Sequence, residues 1–550
     1  MYLYVETLVA GKEGDFVSVS IYSEIRKAFQ ENNELPYQFQ VLSESGKGEV
    51  NRVLWSVSSL SNEEKERLAF KTIKRIKSHI EDNKPDITLL LYLKEKPLCD
   101  YMYIFIDLLR FHIEGGYFDL DEIYNFGIRL ATQSIYDSLV KLGILILGNF
   151  ENDYTKKVMM TLGYHSEFTM YVLEATYRFS DYYSISEELL KNTDGYGKLC
   201  AAIKYRPVTF EQKKYVVENL VEQVLFTKRE TALFIVTNTL LEDYFKIMEI
   251  TRENFTSISY LIAYSFYETS FEKFRISRTL VEKYIFSANK YAKNYIDFAA
   301  VLAIKSGLEI EKEDSDSFVY ENGWSKDIEK SILENCNKIM DKFAFENKIL
   351  EELTENQYFN VEEASLMMYI LQEYQYYYGK TVSESIFTII FSRVPFYFDL
   401  IDYFLIDNGL KYYKTIYDLI IEVIPKNALD SYRDIGEADS RYLPDVWLVY
   451  LLQSFKDARD YNEEFFIKCL YARFKDVRIK AAIVLKYFKD EWSEEVIKTL
   501  KEAVEDEPDY DLKNYLNKMI EKFDKENSEE DFEEDTKDNV IKVDFEDFDV

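Results

Sequence analysis

All three histidines stand two positions before a glutamate, in His79-Ile80-Glu81, His112-Ile113-Glu114 and His165-Ser166-Glu167. Imidazole and carboxylate are the donors that zinc and non-haem iron accept, so the repeated spacing raises the question of a metal site. A helix turns about 100° per residue, which sets residues two apart roughly 200° from one another and keeps such a pair from holding one ion. A zinc deaminase would also need Pro-Cys-x-x-Cys after its His-x-Glu, and the chain has none. Cys99, Cys200, Cys336 and Cys469 lie more than a hundred residues apart with no histidine at ligand spacing, the pattern of reduced core thiols.

Cofactor loops fare no better. No Gly-x-Gly-x-x-Gly occurs, and Ser45-Gly46-Lys47-Gly48 lacks the earlier Gly and the following Ser or Thr of a phosphate loop, so it reads as a surface turn. Glu313 to Ser317 resembles a calcium loop until Phe318 and Val319, where a ligand and a Gly are required. Cys200, Cys336 and Cys469 fall inside helical patterns and Cys99 follows Pro97-Leu98, unlike a haem-thiolate loop. No cofactor and no structural metal are expected. Carboxylates are too numerous for sequence to choose an acid and a base among them, so an enzyme whose carboxylates converge in the fold remains the alternative.

Binding residues are easier to name. Tyr374, Tyr376, Tyr377 and Tyr378 form one aromatic cluster and Phe391 to Phe404, around Pro395, another. Either can line a groove for a partner helix or pack between helices. The chain ends Val543-Asp544-Phe545-Glu546-Asp547-Phe548-Asp549-Val550, an acidic and aromatic alternation that resembles a short docking motif with Phe545 and Phe548 as its binding residues; folding back onto the chain and a purely solubilising role are the alternatives. The one basic run, Lys71, Lys74, Arg75 and Lys77, lies mostly on one helix face and reads as a solvated face, with nucleic-acid binding as the alternative. A formal charge of −32 opposes that alternative.

The elements that position these residues are helices. Only 17 Gly and 8 Pro occur in 550 residues, too few for the turns of a β protein. Leu512, Tyr515, Leu516, Met519, Ile520 and Phe523 make one apolar stripe, and Val477, Ala481, Val484, Leu485 and Phe488 make another. Ser61 with Glu64, Thr209 with Gln212, and Asn360 with Glu363 have capping-box spacing. Turn chemistry marks breaks at Gly11 to Gly14, Ser43 to Glu49, Asn83 to Asp86, Asp194 to Gly197, Glu311 to Lys326 and Pro425 to Pro444. The apolar windows Tyr101 to Ile113 and Phe387 to Ile406 are interrupted by charges, short of the roughly 18 residues of a membrane span. The N-terminus has no secretory pattern, so a cytoplasmic protein is expected. From Asp524 to Val550 thirteen acidic residues face three lysines, which predicts a disordered tail.

A phrase recurs near the C-terminus. Asp476-Val477-Arg478 precedes Ala481, Ala482 and Leu485, Asp511-Leu512-Lys513 precedes Leu516 and Ile520, and Asp445-Val446 is a weaker copy. DVRIKAAIVL, Asp476 to Leu485, resembles the second helix of a HEAT repeat. That resemblance covers about residues 445 to 523 and implies a superhelix of stacked helical hairpins, HEAT/ARM-like, that holds a protein or peptide on its concave face. LGYHSEFTMYVLEA (Leu162 to Ala175) and DGYGKLCAAIKYRPVT (Asp194 to Thr209) are similar to segments of uncharacterised bacterial proteins sometimes labelled limonene hydroxylase, which usually carry Trp where Tyr196 stands. That label implies an oxygenase or hydrolase as the alternative activity. The expected organisation is an N-terminal helical region at 1–150, a helical solenoid at 151–430, HEAT-like repeats at 431–523 and the acidic tail at 524–550. The expected function is a non-enzymatic protein- or peptide-binding scaffold.

Overall fold

Helix starts fall where side chains can satisfy the first free N–H groups. Ser61, Thr209 and Asn360 each cap a helix, and the glutamate or glutamine three residues on returns the bond, so all three predicted capping boxes form. The computed structural model describes residues 19–31, 45–53, 60–82, 84–224, 227–238, 240–266, 278–310, 325–356, 359–429 and 443–527. About 80% of them are helical, with no strand among them, and the fold is all-α. None of these helices is long and apolar enough to cross a membrane. The predicted break at Gly11 to Gly14, positions 311–324 of the break that starts at Glu311, and the tail beyond Asn527 lie outside the described residues. Residues 524–527 of the predicted tail instead continue the helix Tyr510–Asn527.

The chain divides into two compact units, Met1–Ser265 and Phe266–Val550. In the first, helix Asp137–Leu147 is buried on every side from Leu139 to Leu147 and packs between Leu120–Gln133 and Ser166–Ala175. Helix Gly195–Tyr205 lies against Ser166–Ala175. The predicted break at Asp194 to Gly197 is its first turn, with Asp194 as the N-cap. A Cβ on Gly197 would stand 2.7 Å from Thr169 Oγ1 and 2.8 Å from Ser166 Cα, so this glycine serves close helix packing rather than a turn. Of the predicted surface turn at Ser45 to Gly48, Ser45 and Gly46 do form a turn ahead of helix Lys47–Val53, but its glycine is packed and not at the surface. Gly46 is buried, with φ of +85°, and a Cβ there would lie 2.7 Å from the Ser166 carbonyl oxygen.

In the second unit, every residue from Tyr295 to Leu308 of helix Tyr295–Ile310 is buried. Further along, helices Leu443–Ala458, Lys475–Tyr487 and Tyr510–Asn527 pack in succession, with Glu463–Cys469 and Glu494–Asp506 between them as the other layer. Buried charges tie each hairpin to the next. Arg473 pairs with fully buried Asp445 at 2.7 Å, and Arg478 grips both carboxylate oxygens of Glu507 at 2.9 Å. In the best copy of the recurring phrase, its basic residue Arg478 thus holds neighbouring hairpins together.

Candidate peptide-binding groove

Helix Val361–Tyr378 runs from its Asn360 cap to Gly379, whose left-handed φ of 62° ends it. Its last turn carries the tyrosine cluster, and the helix packs against Tyr295–Ile310. Ring positions that follow one another on a helix cannot share one environment, because each step turns the side chain by about 100°.

Tyr374 points toward the start of helix Phe345–Glu355. Its ring stacks on Phe345 at 3.7 Å with an interplanar angle of 13°, and Phe298 backs both rings. An open concavity of about 500 Å³ adjoins this stack, walled by Phe343, Phe345, Glu346, Tyr374, Lys380 and Thr381. Tyr376 is 80% exposed and touches Tyr377 edge-on at 5.0 Å. The Lys380 and Thr381 wall is held from behind: Lys411 donates to Thr381 Oγ1 and to the Val382 carbonyl, and Tyr412 donates to the same carbonyl at 2.6 Å.

Tyr377 and Tyr378 close over a buried lysine, and the Tyr378 ring also meets that of Tyr374 at 5.1 Å. Lys305, 5% exposed, sets its ammonium 3.7 Å from the Tyr377 ring centre and 5.0 Å from that of Tyr378. No carboxylate pairs with it within 4 Å among the described residues, and burial pulls its pKa down although Glu309 acts against that. The Tyr377 hydroxyl donates to Glu309; burial first, then this bond, holds its proton well above the ordinary tyrosine range. Burial pushes Tyr378 up to about 12. The sequence-predicted cluster is therefore split, with Tyr374 walling the groove, Tyr376 exposed outside its lining, and Tyr377 and Tyr378 enclosing a cation. Phe545 and Phe548 lie outside the described residues.

The second aromatic cluster is core. Phe391 and Phe404 are 2% and 0% exposed and meet Phe387 and Trp447 at 4.5 to 5.5 Å.

The histidines stay apart. His79 bonds to the Arg75 carbonyl and the Thr88 hydroxyl, and His112 bonds to the Leu108 carbonyl. His165 is buried as a helix N-cap and accepts the Glu167 N–H; burial pulls its pKa down to about 4. Among the described residues no three His, Cys, Asp or Glu side chains gather as a metal site would require.

Sequence reasoning passed over the most charged part of the first-unit core. Lys141, inside the apolar run Leu139 to Leu147, bonds Glu49 at 2.6 Å and also Glu167, with Asp137 at 3.6 Å. Glu167 accepts the Gly46 N–H as well. Burial alone would lower the lysine pKa, but Glu167, Glu49 and Asp137 more than reverse it. The signal was a lysine with apolar neighbours on both sides and Asp137 four residues before it; its two closer partners, 92 and 26 residues away, carried none. No protein-family model, curated protein or solved structure matches the chain.

Proposed function

We propose that the protein is a non-enzymatic helical-repeat scaffold of the HEAT kind that binds a protein or peptide, and that the groove walled by Tyr374, together with exposed Tyr376 on the same helix, is part of its binding surface. The observation that carries this reading is an open 500 Å³ concavity with a stacked aromatic wall and an adjacent tyrosine exposed to 80%. Tyrosine offers large, rigid contact area with a polar tip, which suits recognition. The hairpins packed side by side from Leu443 to Asn527 support the repeat reading. Four buried free thiols agree with a cytoplasmic setting.

The test is selection of a displayed peptide library on the full chain. Enriched peptides should bind about tenfold more weakly to a Tyr374→Leu, Tyr376→Ser variant whose melting is unchanged. Absence of enrichment over the bare support, or equal binding by both proteins, would refute the reading.

A further inference from the structure

The first unit carries a surface that the tyrosine groove does not explain. From Arg67 to Lys77, helix Asn62–Glu81 has five cations and no carboxylate, in a chain with 99 acidic residues against 67 basic ones. Lys71, Lys74 and Arg75 have no ion pair or side-chain hydrogen bond among the described residues. Each rests on an aromatic ring instead. Lys74 lies 4.6 Å from the centre of Phe70, and Lys71 and Arg75 lie 5.5 and 4.4 Å from that of Tyr92. Lys77 stands 4.5 Å over Tyr117.

The rings continue the surface. Phe70, Phe111 and Tyr117 surround His112 at 5.2 to 5.9 Å, and they are 43%, 71% and 36% exposed. Uncompensated positive charge and solvent-facing aromatic area therefore occupy one continuous face. Leaving Phe111 in water is unfavourable by the hydrophobic effect, and the three cations concentrate positive charge that an acidic partner can neutralise.

We propose that this face docks an acidic peptide segment that carries phenylalanine side chains between its carboxylates. The carboxylates meet Lys71, Lys74 and Arg75, and the phenylalanines pack on Phe70, Phe111 and Tyr117. Nucleic acid fits less well. Its affinity grows with the number of phosphates neutralised, and three free cations on a molecule of net charge −32 do not outweigh the repulsion of a long polyanion. A short acidic peptide meets the local charge while adding little to that repulsion.

Fluorescence anisotropy on the full chain tests this, using a labelled dodecapeptide of four Asp-Phe-Glu repeats, its Phe→Ser counterpart, and a twenty-nucleotide oligothymidylate. The expected result is binding of the Phe-bearing peptide that weakens as salt rises. It should be lost about tenfold or more in Lys71→Glu, Lys74→Glu and severalfold in Phe111→Ser, whereas Lys71→Arg, Lys74→Arg retains it. All substituted residues are exposed, and equal melting temperatures would verify folding. The proposal is overturned if the peptide does not bind at low salt, if the charge reversal leaves binding unchanged, if the Phe→Ser peptide binds equally, or if oligothymidylate binds more tightly.

Discussion

Lys141 in the first unit and Lys305 in the second are both buried, and the two are held in opposite ways. In the first, Lys141 is ringed by Glu49, Glu167 and Asp137 and keeps its proton well above the ordinary lysine range. In the second, Lys305 rests on two tyrosine rings and its pKa falls below that range. Burial pulls both pKa values down; the partner decides the outcome. Carboxylates placed from three segments lock Lys141 into the packing of Asp137–Leu147 against Ser166–Ala175, whereas a polarisable ring face holds Lys305 without fixing a direction. An ion-pair hub is a structural joint, and a ring-bound cation is a weaker and more replaceable one.

Lys141→Met should separate the two most sharply. It leaves Glu49 and Glu167 in the core without their cation, and the expected loss is about 3–5 kcal/mol of unfolding free energy, read from urea denaturation. A loss below about 1 kcal/mol would mean that water already neutralises the cluster.

His165, beside the same cluster, sets its acid side. Its folded pKa of about 4 lies below the ordinary 6.5, so between these values the unfolded chain binds more protons and stability rises with pH. On acidification from pH 6.5 through 4, this residue should cost about 3 kcal/mol. His165→Asn should flatten that part of the stability profile, and an unchanged slope would assign the acid sensitivity to other groups.

Lys305→Met should change stability by no more than about 1 kcal/mol, because the lost ring contact is offset by relief of a buried charge. The alkaline limbs should differ in sign. The lowered Lys305 pKa makes the unfolded state bind more protons as pH approaches 10.5, so its contribution rises with pH. The raised Lys141 pKa makes the folded state bind more above 10.5, so its contribution is lost there. Comparing each Met variant with the parent protein in that range would sharpen the contrast. The smallest effect is expected of Tyr376→Ser, within about 0.5 kcal/mol in the same denaturation assay.

Much of the local structure was legible. Ser61, Thr209 and Asn360 announce their helices because a cap and its partner sit three residues apart, within reach of a short-range rule. The phrase at Asp476 pointed to paired helices because its apolar positions repeat at helical spacing. The tyrosine run was visible too, but its partition was not. Which rings face Lys305 and which face the groove depends on the rotation of Val361–Tyr378 against Tyr295–Ile310. The burial of Gly46 and the helical place of Gly197 were hidden for a related reason, since a glycine looks the same in sequence whether it faces water or makes a close contact with another helix.

The amino-acid order by itself determined an all-helical chain, its capped starts, the stripes that must be buried and the excess of negative charge, because each of these depends on neighbours within a few positions. Only the tertiary structure decided which charges meet. Glu49, Lys141 and Glu167 are brought together over 92 and 26 residues, and Lys71, Lys74 and Arg75 are left without carboxylates among the described residues. Electrostatic pairing between distant segments acts through space, and no spacing along the chain encodes it.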